Sequence, residues 1–224
     1  MDYLHWDEKT ITDFGDKVIT EMYAAGYVFT RIGKGVMHQT RSVRIDLSKF
    51  EMSSENRRVL KKTDGIDLKN IKLPMKEYDF SIGKLAKDFY ATKFGSNIMS
   101  AQKVKEMLVN TDKSNFNTLL EYKSKGTFIG ATIAYLNNDI LHYSYPFYDL
   151  KETQKDTGLG MMIRAIMFAK ESGLKYVYLG SLQRPTDTYK LQFSGLEWLD
   201  GGPSGSGRWS SDIEKVKKML VDLR

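Results

Sequence analysis

The sequence predicts a mixed α+β fold, and three features carry that reading. Apolar residues recur at helical spacing near both ends, the stretch from Leu119 to Phe147 looks like antiparallel strands, and residues 143–190 run strand, glycine turn, helix, strand. A mixed, mostly antiparallel sheet flanked by helices satisfies all three. The 224 residues suffice for one large domain or two small lobes. Residues 63–79, mixed in character and containing Pro74, read as a linker between a small basic N-terminal lobe over 1–75 and a larger lobe over 76–224.

Each element has a local cause. Ile11, Phe14, Val18 and Met22 share a helical face, and Gly26 is a natural stop. Tyr27 to Ile32 reads as a strand, Gly33-Lys34-Gly35 as a turn, and Ser42 to Leu47 as a second strand with alternating faces. Ser53 or Ser54 can cap a short helix carrying Asn56 to Lys62. Ile82, Leu85, Phe89 and Phe94 trace one helix, and Val104, Met107 and Leu108 another after a capping Ser100. Asn137-Asn138-Asp139 makes a hairpin turn between Thr127–Leu136 and Ile140–Phe147. Met161 to Ala169 is apolar nearly all round, which predicts a buried helix ended by Gly173. Tyr176 to Leu179 is a short core strand, and 201–207 a glycine- and serine-rich loop. Ser211-x-x-Glu214 forms a capping box before a helix with inner residues Ile213, Val216, Leu220 and Leu223.

Composition narrows the chemistry. A hydrophobic fraction of 41% supports a proper core, and there are no cysteines. That removes disulfides, thiolate metal sites and a cysteine nucleophile together. His5, His38 and His142 are too scattered for a metal site, and His142 reads as a satisfied sheet residue, so no metal centre is expected. The N-terminus lacks the long apolar run of a signal peptide, and no stretch approaches a membrane span, which predicts a soluble cytoplasmic protein. Arg31 to Lys62 holds nine basic residues against three acidic ones, a surplus equal to the whole-chain charge of +6. Such a segment is either a solvated face or a surface for a phosphate backbone.

Lys155-x-x-Gly158-x-Gly160 opens the apolar helix. Taken alone it is a plain loop or an anion site in which backbone N–H groups and the helix end converge. Acyltransferases of the GNAT type hold the pyrophosphate of an acyl carrier in this way.

Two blocks together resemble the aminoacyl-tRNA–protein transferases, the arginyl-transferring enzymes and their bacterial leucyl-transferring relatives. The first block is Gly26 to Gly33, Arg41-Ser-Val-Arg44-Ile-Asp-Leu47 and Phe50-Glu-Met-Ser-Ser-Glu-Asn-Arg57-Arg58-Val-Leu-Lys61-Lys62. The second is Tyr145-Pro-Phe-Tyr148-Asp149, Gly158-Leu-Gly160, Gly173 to Gly180, Tyr189-Lys190 and Phe193, ending near Arg208-Trp209. The resemblance covers roughly 26–62 and 118–209 and implies a GNAT-like acyltransferase fold. It departs at Met37-His-Gln-Thr-Arg-Ser-Val-Arg44, where the family usually carries a cysteine cluster, so any metal function tied to those cysteines is absent. The family's cysteine–proline–lysine–methionine segment is likewise replaced by a shorter Gln183-Arg-Pro-Thr-Asp-Thr188, which puts acceptor choice in question.

The implied reaction is attack by an acceptor's N-terminal α-amine on the ester of an aminoacyl-tRNA, the co-substrate, with no further cofactor. The ester is already activated, so positioning, worth about 7–11 kcal/mol, and oxyanion stabilisation are what the site must supply. The resemblance assigns catalysis to Tyr145, Tyr148, Asp149, Tyr189 and Lys190, with Asp149 taking the amine proton and a tyrosine returning one to the ribose oxygen. Core packing is the alternative for the tyrosines, and an ordinary turn role for Asp149. Gly158 and Gly160, with Arg57, Arg58, Lys61 and Lys62, would hold the tRNA end. Arg31 and Arg44 would read an acceptor, acidic if the pairing is bidentate, or else clamp phosphates. Two rival readings keep the scaffold: an acetyl-coenzyme A N-acetyltransferase, and a non-catalytic RNA-binding module.

Overall fold

The computed structural model describes residues 4–151, 153, 155–201 and 207–221. It is mixed α+β, as expected, and forms two compact units that interleave along the chain where the sequence suggested a single cut near residue 75. Met1–Ser53, Asn137–His142 and Ala169–Arg224 make the first unit, and Ser54–Leu136 with Tyr143–Phe168 the second.

In the first unit, β1 (Asp7–Thr10), β2 (Tyr27–Phe29) and β3 (Val36–Gln39) form a small antiparallel sheet in the order β1-β3-β2. The helix α1 (Asp16–Ala24) starts later than the apolar spacing suggests. Ile11 donates its N–H to Gly35 O at 3.0 Å, which ties it to the turn before β3, and the buried helix residues are Ile19 and Tyr23. The strand expected to reach Ile32 stops at Phe29, because the Thr30 hydroxyl donates to Val36 O and accepts the Ile32 N–H.

The larger strands of this unit run β11 (Arg208–Ser210), β10 (Leu196–Asp200), β4 (Ser42–Asp46) and β9 (Tyr176–Ser181). Residues 42–45 of β4 are all buried, Arg44 among them because its guanidinium lies over the Tyr176 and Trp209 rings, so the expected alternation in exposure is lost. The first residues of β8 (Ile140–Tyr148) pair in parallel with β9, Ile140 opposite Tyr176 and His142 opposite Tyr178. Asn137 closes the turn before β8 as expected, its side-chain oxygen accepting the N–H of Asp139 and Ile140 at 2.9 Å each. The last helix, α6 (Ile213–Val221), buries Val216 and Leu220. Its capping acceptor is Asp212, which takes the Lys215 N–H at 2.9 Å, and not Ser211. The expected loop at 202–206 and Leu223 lie outside the described residues.

The second unit holds α2 (Ser54–Lys62), β5 (Ile66–Lys72), α3 (Phe80–Phe94), α4 (Ala101–Val109), β6 (Thr118–Ser124), β7 (Thr127–Leu136), the rest of β8 and most of α5 (Thr157–Glu171). The expected linker carries β5, an antiparallel partner of β6 from Ile66↔Ser124 to Lys72↔Thr118. Its Asp67, Lys69, Asn70 and Lys72 suit an edge strand and hide the strand pattern. Ser100 caps α4 as expected, accepting the Lys103 N–H at 3.0 Å. Phe94, expected on the inner face of α3, is exposed, and Ala86 and Tyr90 are buried instead. Met161, Ile163, Ala165 and Ile166 are fully buried, which fits the all-apolar reading of α5.

A buried polar pair anchors the first unit. Phe29 donates its N–H to the Tyr23 hydroxyl, which leaves that hydroxyl to donate to Nδ1 of a neutral His142 at 2.8 Å. Burial, reinforced by the charge of Lys190, pushes the His142 imidazole down from 6.5 to about 3. The unfolded chain therefore holds the extra proton between those values, and stability falls as pH drops through 6.5. Between pH 7.5 and 5.5 this one group is expected to remove about 1.4 kcal/mol, measured by urea unfolding. His142→Gln should lack that increment, and an identical slope in both proteins would contradict the assignment.

Candidate functional site in the second unit

The N-terminus of α5 is built by close packing. A Cβ on Gly158 would lie 2.8 Å from Tyr148 Cε1 and 3.0 Å from its hydroxyl. One on Gly160 would lie 2.9 Å from both Cβ and Cγ2 of Thr63, which is fully buried just past the end of α2. Glycine at both positions thus lets the helix end approach β8 and α2. The Gly160 N–H donates to Asp156 O at 2.8 Å as the first rung of the helix ladder. The contribution of Gly160 is therefore approach, while the N–H groups of Gly158 and Leu159 precede that rung at the positive end of the helix.

Arg164, which the sequence reading passed over, locks this arrangement. Its guanidinium donates to Ile66 O at 2.7 Å, Thr63 O at 2.7 Å, Thr63 Oγ1 at 2.9 Å and Gly160 O at 3.1 Å. The Thr63 hydroxyl in turn donates to Val59 O at 2.9 Å. An arginine two turns into an apolar helix is the one signal that could have marked it.

Arg57, Arg58, Lys61 and Lys62 all project from the exposed side of α2, while Asn56 and Val59 are buried on the other. The i, i+1, i+4, i+5 spacing puts the four cations on one face. That face meets the helix turn at Asp156, a residue with φ of 74°, whose carboxylate lies 3.5 Å from Arg58 Nη2 and 3.7 Å from Lys62 Nζ. Arg58 also forks onto Glu55, its Nε donating at 2.6 Å, and this hydrogen bonding raises its pKa and lowers that of Glu55. Exposed pairs of this kind add little stability. Their consequence is a cationic face, partly held by carboxylates, beside a helix N-terminus.

The remaining predicted residues of this unit have plain neighbours. Tyr148 packs on Phe89, ring centroids 4.9 Å apart, and beneath Gly158. Tyr145 stands edge-on to Phe116 at 5.3 Å. Three residues apart on a strand, the two rings take opposite faces and are not brought together. The Asp149 carboxylate accepts the Lys151 N–H at 2.8 Å, a turn role.

Arg31, Arg44, Tyr189 and Lys190 belong to the first unit. Arg44 is buried, its Nε 2.8 Å from Glu197 and its Nη2 2.7 Å from the same carboxylate. Its guanidinium is stacked between Tyr176 at 4.2 Å and Trp209 at 3.9 Å. Arg31 is half-buried just beyond β2. Lys190, 9% exposed, sits in a 3-10 helix (Pro185–Gln192) and donates to Ser181 O at 2.8 Å, while the adjacent Tyr189 is exposed.

The glycine-opened helix end and the cationic face of α2 thus lie side by side in this unit. A family model described as arginine-tRNA-protein transferase, C terminus, matches residues 84–200. That is more than half of the chain, and the chain belongs to this family. It is 27% identical over 175 residues to the aspartate/glutamate leucyltransferase of Ruegeria pomeroyi, covering 76% of this chain and 61% of that protein. It is 24% identical over 168 residues to the protein of the same name from Hyphomonas neptunium, covering 72% and 66%. The chain thus spans less than two thirds of the length of these relatives. Similar solved structures include L-PGS from Bacillus licheniformis (TM-score 0.49, 12% identity, 92% of this chain and 70% of that one) and FemX (TM-score 0.47, 9% identity, 92% and 71%).

The packing makes a direct prediction. Gly160→Ala drives a methyl into buried Thr63 and is expected to lower the unfolding free energy by about 1–3 kcal/mol. Chemical denaturation reads this, and an unchanged midpoint would show that Thr63 and the helix end yield freely.

Proposed function

We propose that the chain transfers an aminoacyl group, arginyl or leucyl in type, from aminoacyl-tRNA to the N-terminal α-amine of an acceptor protein or peptide. The observation that carries the reading is the cationic face of α2 beside the N-terminus of α5. Four side chains there and the helix end suit the phosphates of a tRNA 3′ end. Family membership and the leucyltransferase names of the relatives support the same donor, and those names favour an acceptor that begins with Asp or Glu.

In this reading the neutral α-amine adds to the ester carbonyl, the tetrahedral intermediate collapses, and the ribose oxygen leaves with the amine proton. An amide bond forms as the ester bond breaks, so no enzyme nucleophile or added cofactor is required. Within the second unit, Tyr148, which packs against Gly158, and the adjacent Asp149 are the residues we assign to proton handling and oxyanion stabilisation. The protein would act in the cytoplasm, where charged tRNA is available; among the described residues no helix is long and apolar enough to cross a membrane.

The test is incubation with leucyl- and arginyl-tRNA and peptides beginning with Asp, Glu, Asn or Ala, followed by mass spectrometry. A ribonuclease-sensitive gain of one aminoacyl residue is expected. Acetyl transfer from coenzyme A with no tRNA requirement would overturn the proposal. Arg57→Ala and Lys61→Ala are each expected to weaken tRNA binding and to reduce the slope of log affinity against log salt by about 1. Unchanged slopes would remove α2 from the RNA contact.

A further inference from the structure

Arg41 stands immediately before β4, its backbone carbonyl accepting the Leu182 N–H at 2.9 Å. The residue is only 8% exposed, yet Nε and Nη1 are buried with no hydrogen-bond partner. The side chains that follow its backbone partner Leu182 in sequence are satisfied by other means. Gln183 donates to Leu4 O, Thr40 Oγ1 and Ser181 Oγ, and Lys190 donates to Ser181 O. The opposite charge that acts on Arg41 is Asp200, whose carboxylate already takes the ammonium of Lys215. The contrast with Arg44 and Arg164, whose donors meet Glu197 or backbone carbonyls, is direct. Among the described residues Arg41 is the one cation with orphaned buried donors. Buried guanidinium donors without partners destabilise a fold, and an anion that paired with them would remove that cost.

We infer that Arg41 is the acceptor-selecting residue, pairing with the side-chain carboxylate of an N-terminal Asp or Glu. This deepens the transferase reading and rests on it. A carboxylate is favoured over a phosphodiester because a guanidinium this buried can be met only by a small terminal group. A phosphodiester carries a ribose on either side, and the exposed cations of α2 suit it better. Arg44, a candidate from sequence, has its charge matched by Glu197.

The test measures, without tRNA, the binding of fluorescent peptides that differ only in Asp or Asn at the first residue, by anisotropy with the full chain. The intact protein is expected to prefer Asp by at least about tenfold, the scale of one charge-assisted pair. Arg41→Met should abolish the preference while leaving the melting temperature equal or higher, since an uncompensated charge is removed. Arg41→Lys should retain part of the preference. Equal binding of both peptides by the intact protein would overturn the inference. So would a preference that survives Arg41→Met, or Arg41-dependent binding of inorganic phosphate without Asp selectivity. A clear fall in melting temperature would instead make Arg41 structural. Asp-selective binding with no aminoacyl transfer would sink the transferase reading alone, and equal transfer to both peptides would sink this inference alone.

Discussion

Gly160 lying against Thr63, with the guanidinium of Arg164 closed over both, is the constraint on which the candidate site depends. The contact needs a residue without a Cβ at the second helix turn and a small hydroxyl residue at the end of α2. With these in place, the end of α2 packs directly on the second turn position of α5, which brings its basic face beside the helix N-terminus. Arg164 reaches four acceptors because its guanidinium is half-buried with its stem among apolar helix neighbours. Removing it would take a donor from three backbone carbonyls and the Thr63 hydroxyl together. The Asp156 carboxylate stands 3.5 Å and 3.7 Å from two of the α2 cations at that helix end.

The first unit solves a different problem, which is how to bury cations and a histidine inside a sheet. Arg44 is neutralised by Glu197 and sandwiched by two aromatic faces, an arrangement in which stacking and ion pairing reinforce each other. His142 is held neutral by burial and given a donor by Tyr23. Lys190 finds a carbonyl. Against these three compensated groups the orphaned donors of Arg41 stand out.

Much of this was legible in the residues. The hairpin at Asn137, the Ser100 cap and the buried α5 follow from local chemistry that no tertiary contact overrides. So does the cationic face of α2, since helical spacing alone aligns Arg57, Arg58, Lys61 and Lys62. Other features were hidden for physical reasons. β5 is an edge strand with polar residues on both faces, so its composition resembles a linker. The early start expected for α1 failed because Ile11 found a backbone partner in Gly35. Tyr145 and Tyr148 were both expected beside the glycine turn, but three residues apart on β8 they take opposite faces, and Tyr148 is the one that packs against Gly158. Arg164 and Arg41 were invisible as site residues, because what distinguishes them is burial and the presence or absence of partners. No spacing rule reports either.

In the proposed transfer, the α5 turn and the basic face of α2 together receive the phosphates of the tRNA donor. Amide hydrogen exchange with and without aminoacyl-tRNA tests it most directly. Added protection is expected at the amides of Gly158 and Leu159 and along 57–62, weakening as salt rises. Saturating tRNA that leaves both segments exchanging as in the free protein, while protecting amides elsewhere, would contradict it.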